Sequence, residues 1–288
     1  MIKKIAAIND LSGMGKCSLT IAIPVLSALG VQACPLPTAI LSNQTGYPHY
    51  YINDFTDSMP SYIGEWKARG FEFDGIYAGF FSDERQVKII EEFLEIFKKE
   101  GTFFLVDPVM GDDGKIYPGV SDELVKKISH LSFMADIITP NLTECCILTG
   151  TDYEELVLNS DREDYLDIVS KICIKLIKGN VKKCVITGIK YKSVNDDDTM
   201  LYNAIFENGK ISFRKSVSTG GSYCGTGDIL ASIVCGMLVK GKGLNEAVEL
   251  AVRFISEAVK DTYNCKTDRN DGVNFEKYLY MLIEKNNI

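Results

Sequence analysis

Short apolar runs alternate along the chain with longer segments in which apolar residues recur at helical spacing. Residues 2–8 are typical of a buried strand, and residues 18–29 predict a helix that ends at Gly30. Further runs of strand length lie at residues 31–36, 75–80, 102–106, 135–138 and 184–188. Because strands that alternate with helices usually form a parallel sheet, the pattern predicts an α/β fold.

Helix-terminating and helix-starting residues bound the amphipathic segments. Ser82 and Asp83 precede a segment whose apolar residues repeat at helical spacing until Gly101. Residues 59–68 and 246–259 predict two more helices. The helical stripes therefore belong to the core of the fold.

No linker, charge block or internal repeat interrupts this order of elements. We expect one domain over residues 1–288, a three-layer α/β/α sandwich around a central, mainly parallel sheet. Residues 36–57, which follow a strand and become polar, predict a small β lid. Asn208-Gly209 between two alternating segments predicts an antiparallel hairpin.

Composition narrows the class of protein. The chain has 288 residues, of which 46% are hydrophobic and 24% charged, and its formal net charge is -8. Such a balance is typical of a globular protein and argues against non-specific nucleic-acid binding. The apolar run at the N-terminus is too short for a signal peptide or membrane span, and the nine cysteines are scattered without a C-x-x-C pair. We expect a cytoplasmic protein with reduced thiols and no membrane contact.

The strongest candidate for chemistry is the sequence Gly225-Thr226-Gly227-Asp228, which runs directly into the apolar segment 229–239. A glycine-rich turn at a helix N-terminus presents backbone N–H groups to an anion. Asp228 is the candidate catalytic group. The alternative is that the glycines form a plain turn and that Asp228 is an N-cap.

The loop after the first strand does not match either common nucleotide motif. A P-loop needs Gly where the chain has Asp10 and Ser or Thr where it has Cys17. A dinucleotide fingerprint needs its third glycine where the chain has Ser18. The position of this loop at the carboxyl end of a strand nevertheless favours ligand binding.

A second polar loop, residues 42–47, contains Ser, Asn, Gln, Thr and Tyr. Neutral hydrogen-bonding groups beside an aromatic face suit a small polar ring better than a phosphate. The same residues also form ordinary surface turns.

Three acidic residues follow later strands or open a helix. Asp107 and Asp112 come after the strand at 102–106, and Glu144 lies in the first turn of a short predicted helix. Carboxylates at this edge of a sheet could hold Mg²⁺ together with phosphate oxygens. The alternatives are a turn at Asp112 and a surface acid that complements the helix dipole at Glu144.

Five separated stretches together resemble the vitamin-kinase branch of the ribokinase superfamily. They occur in order along the chain, and the resemblance extends over residues 1 to about 260. The stretches are Asp10-Leu11-Ser12-Gly13, Ser42-Asn43-Gln44-Thr45-Gly46-Tyr47, Asp107-Pro108-Val109-Met110-Gly111-Asp112, Thr139-Pro140-Asn141-Leu142-Thr143-Glu144 and Gly225-Thr226-Gly227-Asp228. Bacterial pyridoxal/pyridoxamine kinases are the most similar group, and hydroxymethylpyrimidine kinases follow.

The resemblance implies a ribokinase-like fold and ATP-dependent phosphorylation of the 5'-hydroxymethyl group of a B6 vitamer. It implies that Asp228 is the base and that Gly225, Thr226 and Gly227 form the anion hole for the γ-phosphate. The substrate ring would be bound by residues of the two loops. These are Asp10, Ser12, Thr45 and Tyr47.

The resemblance also implies a magnesium–ATP region. Nucleotide contacts would come from Asp112, Asn141, Glu144, Thr187, Gly188, Thr226 and Gly227. Asp107 and Glu144 would hold Mg²⁺, and a monovalent cation such as K⁺ could assist. A homodimer is expected, paired through the lid strands.

Other functions compete with a B6 kinase. They are a hydroxymethylpyrimidine kinase, a non-catalytic homologue that binds vitamin or nucleotide, and a nucleotide-dependent oxidoreductase. Gln44 stands where many relatives carry His, so the ring-binding side is the less conforming part of the resemblance. The presence of Asp228 with its glycines favours an enzyme, and the failed dinucleotide fingerprint argues against the oxidoreductase.

Overall fold

The computed structural model describes residues 1–191, 200–216 and 222–283. The chain is a mixed α/β protein with a large, mostly parallel central sheet, so the predicted fold class is confirmed. It divides into two compact units, Met1–Leu105 with Thr219–Ile288, and Val106–Ser218. The single domain over 1–288 stays a prediction.

The N-terminal part of the first unit alternates strands with helices. Its elements are β1 (Lys4–Ser12), α1 (Ser18–Ala28), β2 (Gln32–Leu41), β3 (Ile52–Asp54), α2 (Met59–Ala68), β4 (Gly75–Ala78), α3 (Glu84–Phe97) and β5 (Phe103–Val106). The strand order is β5-β4-β1-β2-β3, and β1 pairs in parallel with both β2 and β4. The antiparallel pair of β2 with β3 lies within the predicted lid, whose function as a lid stays a prediction.

The second unit contains a run of strands in the order β11-β10-β9-β8 and a separate two-stranded sheet. Its elements are β6 (Gly111–Asp112), β7 (Lys115–Ile116), α4 (Asp122–Met134), β8 (Ile137–Ile138), α5 (Leu142–Thr149), α6 (Tyr153–Leu158), α7 (Tyr165–Leu176), β9 (Lys183–Tyr191), β10 (Met200–Glu207) and β11 (Lys210–Ser216). The predicted hairpin is confirmed, because β10 and β11 pair antiparallel and Asn208 and Gly209 both have positive φ, 53° and 74°. Sequence reasoning missed α4 and α6.

Two long helices, α8 (Thr226–Val239) and α9 (Leu244–Asn264), complete the first unit. Helix α8 is apolar on every side and buried along nearly its whole length, whereas α9 buries one face. Short 3-10 turns at Arg269–Asp271 and Glu276–Leu282 follow. No helix of the described residues is long and apolar enough to cross a membrane.

The core of the first unit includes a cluster of aromatic rings that joins α2 to α3. Phe73 packs against Trp66, Phe93 and Phe97 with ring centroids 5.2, 6.0 and 5.4 Å apart. Burial of such rings is a large source of stabilisation. All nine cysteines are free, and five of them are buried.

Candidate active site

Asp228 lies in the first turn of α8, directly after the glycine-rich turn. The N-cap of α8 is Gly225, which has φ 89° and ψ -5°, so the alternative in which Asp228 is the N-cap is wrong. A Cβ at position 225 would lie 2.5 Å from the Lys16 carbonyl oxygen, so glycine is needed there for both its backbone angles and its size. The turn therefore leaves the first N–H groups of α8 without helical acceptors.

Asp228 has the properties of a general base. Its pKa is raised to about 6, mainly by burial and additionally by the nearby Asp10 carboxylate. The Ser18 backbone and the polar side chains of Tyr77 and Asn9 lower this pKa and so act in the opposite direction. The residue as a whole is half-buried. A carboxylate with this pKa is ionised at neutral pH and still basic enough to accept a proton.

Asp10 and Ser12 lie at the carboxyl end of β1, where the pairing register with β2 shifts between Asn9 and Leu11. The Ser12 hydroxyl donates to Asp10 Oδ2 over 2.8 Å, and both residues are buried. Burial is the main reason why the pKa of Asp10 is raised. The structure thus brings the predicted ring-binding residues Asp10 and Ser12 close to the predicted base.

The polar loop 42–47 contains one exposed and one half-buried predicted ligand, Thr45 and Tyr47. The Tyr47 hydroxyl donates a short hydrogen bond to Asp271, and this bond raises the pKa of Tyr47 to about 12. The phenol therefore stays protonated near neutral pH. Gln44, which stands where many relatives carry His, is buried, and its side-chain amide donates to the Asn270 carbonyl oxygen.

In the second unit, Asn141 and Glu144 form a capping box at the start of α5. The Asn141 side chain accepts from the Glu144 N–H, and Glu144 Oε2 accepts from the Asn141 N–H over 2.8 Å. Glu144 Oε1 also accepts from the Met110 N–H over 3.1 Å. Glu144 is buried, so the alternative of a surface acid is wrong.

Asp107 and Glu144 repel each other electrostatically. Burial and the Asp107 charge together hold the pKa of Glu144 well above its usual value. The Thr139 hydroxyl donates to Asp107 Oδ1 over 3.0 Å. A cation beside the two carboxylates would relieve the repulsion, and Mg²⁺ typically takes one or two protein carboxylates plus phosphate oxygens and water.

Asp107 and Glu144 suit an ion that takes its other ligands from outside the protein. Within the described ranges 1–191, 200–216 and 222–283, no group of three or more His, Cys, Asp or Glu side chains could hold a metal ion. Two carboxylates fit Mg²⁺ whose remaining ligands are phosphate oxygens and water.

Of the remaining predicted nucleotide residues, Thr187 and Gly188 lie on β9, Asp112 lies on β6, and Thr226 and Gly227 begin α8. The Thr187 N–H donates to the Pro140 carbonyl over 2.9 Å, and Thr187 forms a parallel bridge with Asn141. Gly188 follows with φ 70° and is exposed. Asp112 precedes a tight turn, as the alternative for this residue proposed.

Sequence reasoning missed several groups that surround the predicted residues. Asn9 is absent from the predicted site, although a polar residue inside an apolar strand is itself a signal of function. Tyr77 carries a hydroxyl in a buried strand and gives the same signal. Nothing in the local pattern indicates Asn270 or Asp271, which reach the site only through the fold.

Comparison with known proteins identifies the family. A family model described as phosphomethylpyrimidine kinase matches residues 22–273. The chain belongs to this family. Membership confirms the predicted kinase class and is inconsistent with an oxidoreductase.

Individual relatives of this kinase extend the comparison. A candidate phosphomethylpyrimidine kinase from Bacteroides thetaiotaomicron, crystallised with pyridoxal, is 37% identical, with a TM-score of 0.88 over 98% of this chain and 96% of its own. A pyridoxal kinase from Lactobacillus plantarum is 27% identical, with a TM-score of 0.82 over 98% and 97% of the two chains. A Dictyostelium discoideum pyridoxal kinase is 25% identical over 91% of this chain and 86% of its own.

Proposed function

We propose that this protein is an ATP-dependent kinase that phosphorylates the 5'-hydroxymethyl group of pyridoxal, pyridoxamine or pyridoxine. The observation that carries the proposal is Asp228, a carboxylate with a pKa of about 6 beside the glycine turn that begins α8. A B6 vitamer as the substrate is supported by the relative crystallised with pyridoxal and by the relatives named pyridoxal kinase.

In this reaction Asp228 takes the proton of the hydroxymethyl group. The resulting oxygen attacks the γ-phosphorus of ATP, the bond to the bridging oxygen breaks, and ADP leaves with that bond's electron pair. The N–H groups around Thr226 and Gly227 would stabilise charge on the transferred phosphoryl group, because they begin a helix and lack helical acceptors. Asp228 is left as a carboxylic acid and returns its proton to water.

Ring binding is assigned to the residues of β1 and the polar loop. Asp10 and Ser12 offer a hydrogen-bonding pair at the end of β1. Thr45 and Tyr47 offer a hydroxyl and an aromatic face, which suit a flat heteroaromatic ring.

Nucleotide and metal binding are assigned to the second unit. Asn141, Thr187, Gly188 and Asp112 are the proposed ATP contacts, and Asp107 with Glu144 would hold Mg²⁺. When bound, the ion would neutralise charge on the phosphates. A monovalent cation such as K⁺ could contribute in the same way.

Assembly and location are also proposals. We expect a homodimer, because β3 is a short, exposed edge strand that contains the exposed Ile52 and follows the exposed Tyr51. The proposed location is the cytoplasm. A molar mass near twice 32.0 kDa in light scattering would support the dimer.

A second candidate substrate is hydroxymethylpyrimidine, which shares its pyrimidine ring with the compound in the family's name, phosphomethylpyrimidine kinase. The two rings differ by a few atoms, and discrimination at that scale is commonly about 1–3 kcal/mol. The test is an ADP-release assay that compares kcat/KM for the three B6 vitamers, hydroxymethylpyrimidine and ribose. We expect the highest value for a B6 vitamer, and a tenfold preference for either other compound would overturn the proposal.

A further inference from the structure

Residues 268–276, here called the strap, follow α9 and are anchored to its end. The Asp268 side chain accepts from the Asn270 N–H over 2.8 Å, which fixes the turn at the start of the strap. Thr262 Oγ1 accepts from the Asn274 N–H over 2.8 Å, and Val273 is fully buried. These hydrogen bonds and the burial of Val273 therefore hold the strap against the end of α9.

Two side chains of the polar loop 42–47 contact the strap. Tyr47 donates its hydroxyl proton to the Asp271 carboxylate. Gln44 Nε2 lies 3.2 Å from the Asn270 carbonyl oxygen and 3.3 Å from Asn270 Oδ1. A Cβ at Gly46 would lie 2.7 Å from the same Oδ1, so the loop and the strap pack without spare room.

The strap also contacts the loop after β1 and the residue before the glycine turn. The Lys16 N–H donates to the Asp271 carbonyl over 3.2 Å. The Cys224 N–H donates to the Arg269 carbonyl over 3.2 Å, and Gln44 Nε2 lies 3.5 Å from Cys224 Sγ.

Lys16 lies between two glycines that permit this close approach. Its carbonyl oxygen would be 2.5 Å from a Cβ at Gly225 and 2.8 Å from a Cβ at Gly272, and both glycines have positive φ, 89° and 81°. Gly225 belongs to the glycine turn that begins α8, and Gly272 belongs to the strap. The loop that contains Lys16, the glycine turn and the strap therefore pack closely against one another at Lys16.

We propose that the strap sets the position of the ring-binding loop, with Asp271 and Asn270 as positioning residues that act through Tyr47 and Gln44. The inference rests on the proposed function, because it assigns loop 42–47 to the substrate ring. A neutral phenol held by an ionised carboxylate has a fixed direction, and the Gln44 amide joins the same loop to Cys224. The strap thus adds a specificity element for the vitamin and leaves the chemical step to Asp228.

The first test is the kinetics of Asp271→Ala and Asp271→Asn. We expect Asp271→Ala to raise KM for the vitamin roughly tenfold, because the lost bond is charge-assisted, and to leave kcat and KM for ATP within about threefold. Asp271→Asn should recover most of the affinity, since the amide oxygen still accepts from Tyr47. In a Tyr47→Phe background, Asp271→Ala should add about twofold or less, because the partner is already gone.

Asp261→Ala is the matched control. Asp261 accepts a hydrogen bond from Lys277, and among the residues that the structure describes no hydrogen bond joins it to Tyr47. Its kinetics should match the wild type. An unchanged KM for the vitamin in Asp271→Ala, or an equal loss in all kinetic constants, would overturn the positioning role.

A second measurement does not depend on which vitamin is the substrate. Amide hydrogen exchange of the ligand-free protein should become at least about tenfold faster at Gln44 and Tyr47 in Asp271→Ala, and unchanged in Asp261→Ala. Equal exchange rates in both variants would contradict the proposal that the strap positions loop 42–47. The kinetic test uses whichever hydroxymethyl heterocycle the wild type accepts, so a wild type inactive on B6 vitamers refutes the proposed substrate and not the strap.

Discussion

The hydroxyl of Tyr77 donates a hydrogen bond to Asp228 Oδ1 over 3.5 Å, although 151 residues separate the two in sequence. Strand β4 supplies the donor and the first turn of α8 supplies the acceptor. The bond favours the ionised form of the proposed base and so lowers the pKa of Asp228 against the effect of burial.

Replacing Tyr77 by Phe should therefore raise the pKa of Asp228. The bond is long and weak, so we expect the acidic limb of kcat/KM to move upward by less than about one pH unit, with activity near pH 8 almost unchanged. The measurement is the pH–rate profile of the two proteins side by side. A limb that moves to lower pH would contradict the assigned hydrogen bond.

Asp228→Asn should remove most turnover while the protein stays folded. The substitution keeps the shape of the side chain and deletes the basic oxygen, and loss of a general base typically costs roughly 10²- to 10⁴-fold in rate. Single-turnover rates give the size of the loss, and calorimetric titration with an ATP analogue should give an affinity close to wild type. Turnover within a few-fold of wild type would exclude Asp228 as the base.

The pH dependence of the wild type follows from the same residue. A general base works only when ionised, so kcat/KM should fall as pH drops below about 6 and level off above it. Asp10→Asn removes a neighbouring negative charge, which should move this limb to lower pH even if the overall rate also falls. A limb that stays in place in Asp10→Asn would show that the two carboxylates are not coupled.

Magnesium should be required, and Asp107→Asn should raise the Mg²⁺ concentration that gives half-maximal activity. The substitution removes one of the two carboxylates proposed to share the ion, and it should also ease ionisation of Glu144, whose pKa the Asp107 charge raises. Titration of activity with MgCl₂ at saturating ATP measures the shift.

Asp136→Asn is the control for this titration, because Asp136 pairs with Lys182 at 3.5 Å and has no proposed role in metal binding. Its Mg²⁺ curve should overlay that of the wild type. Full activity in excess EDTA would refute the magnesium site.

The sequence determined much of the fold because local signals were strong. The α2 helix has the predicted bounds, and α1 ends within one residue of the predicted end, shortly before Gly30, which has positive φ. The hairpin at Asn208-Gly209 followed from two residues that tolerate positive φ. The α4 helix was missed although Ser121 caps it, because no apolar segment of strand length directly precedes it.

The sequence also indicated the chemistry of single residues, but the structure decided their roles. Asp228 could be an N-cap or a base from its local pattern alone, and only the cap geometry of Gly225 and the burial beside Asp10 separate the two. Likewise, Glu144 could be a surface acid until its burial was known. A pKa depends on what surrounds a group in space, which local sequence does not contain.

Contacts between distant segments were beyond sequence reasoning altogether. Tyr77 reaches Asp228, and the strap reaches Gln44 and Tyr47 across more than 220 residues of chain. Periodicity and turn residues specify elements one at a time, because their physical origin is the backbone within a few residues. Which side chains meet at the ends of those elements is fixed by packing of the whole unit, and that information exists only in the tertiary structure.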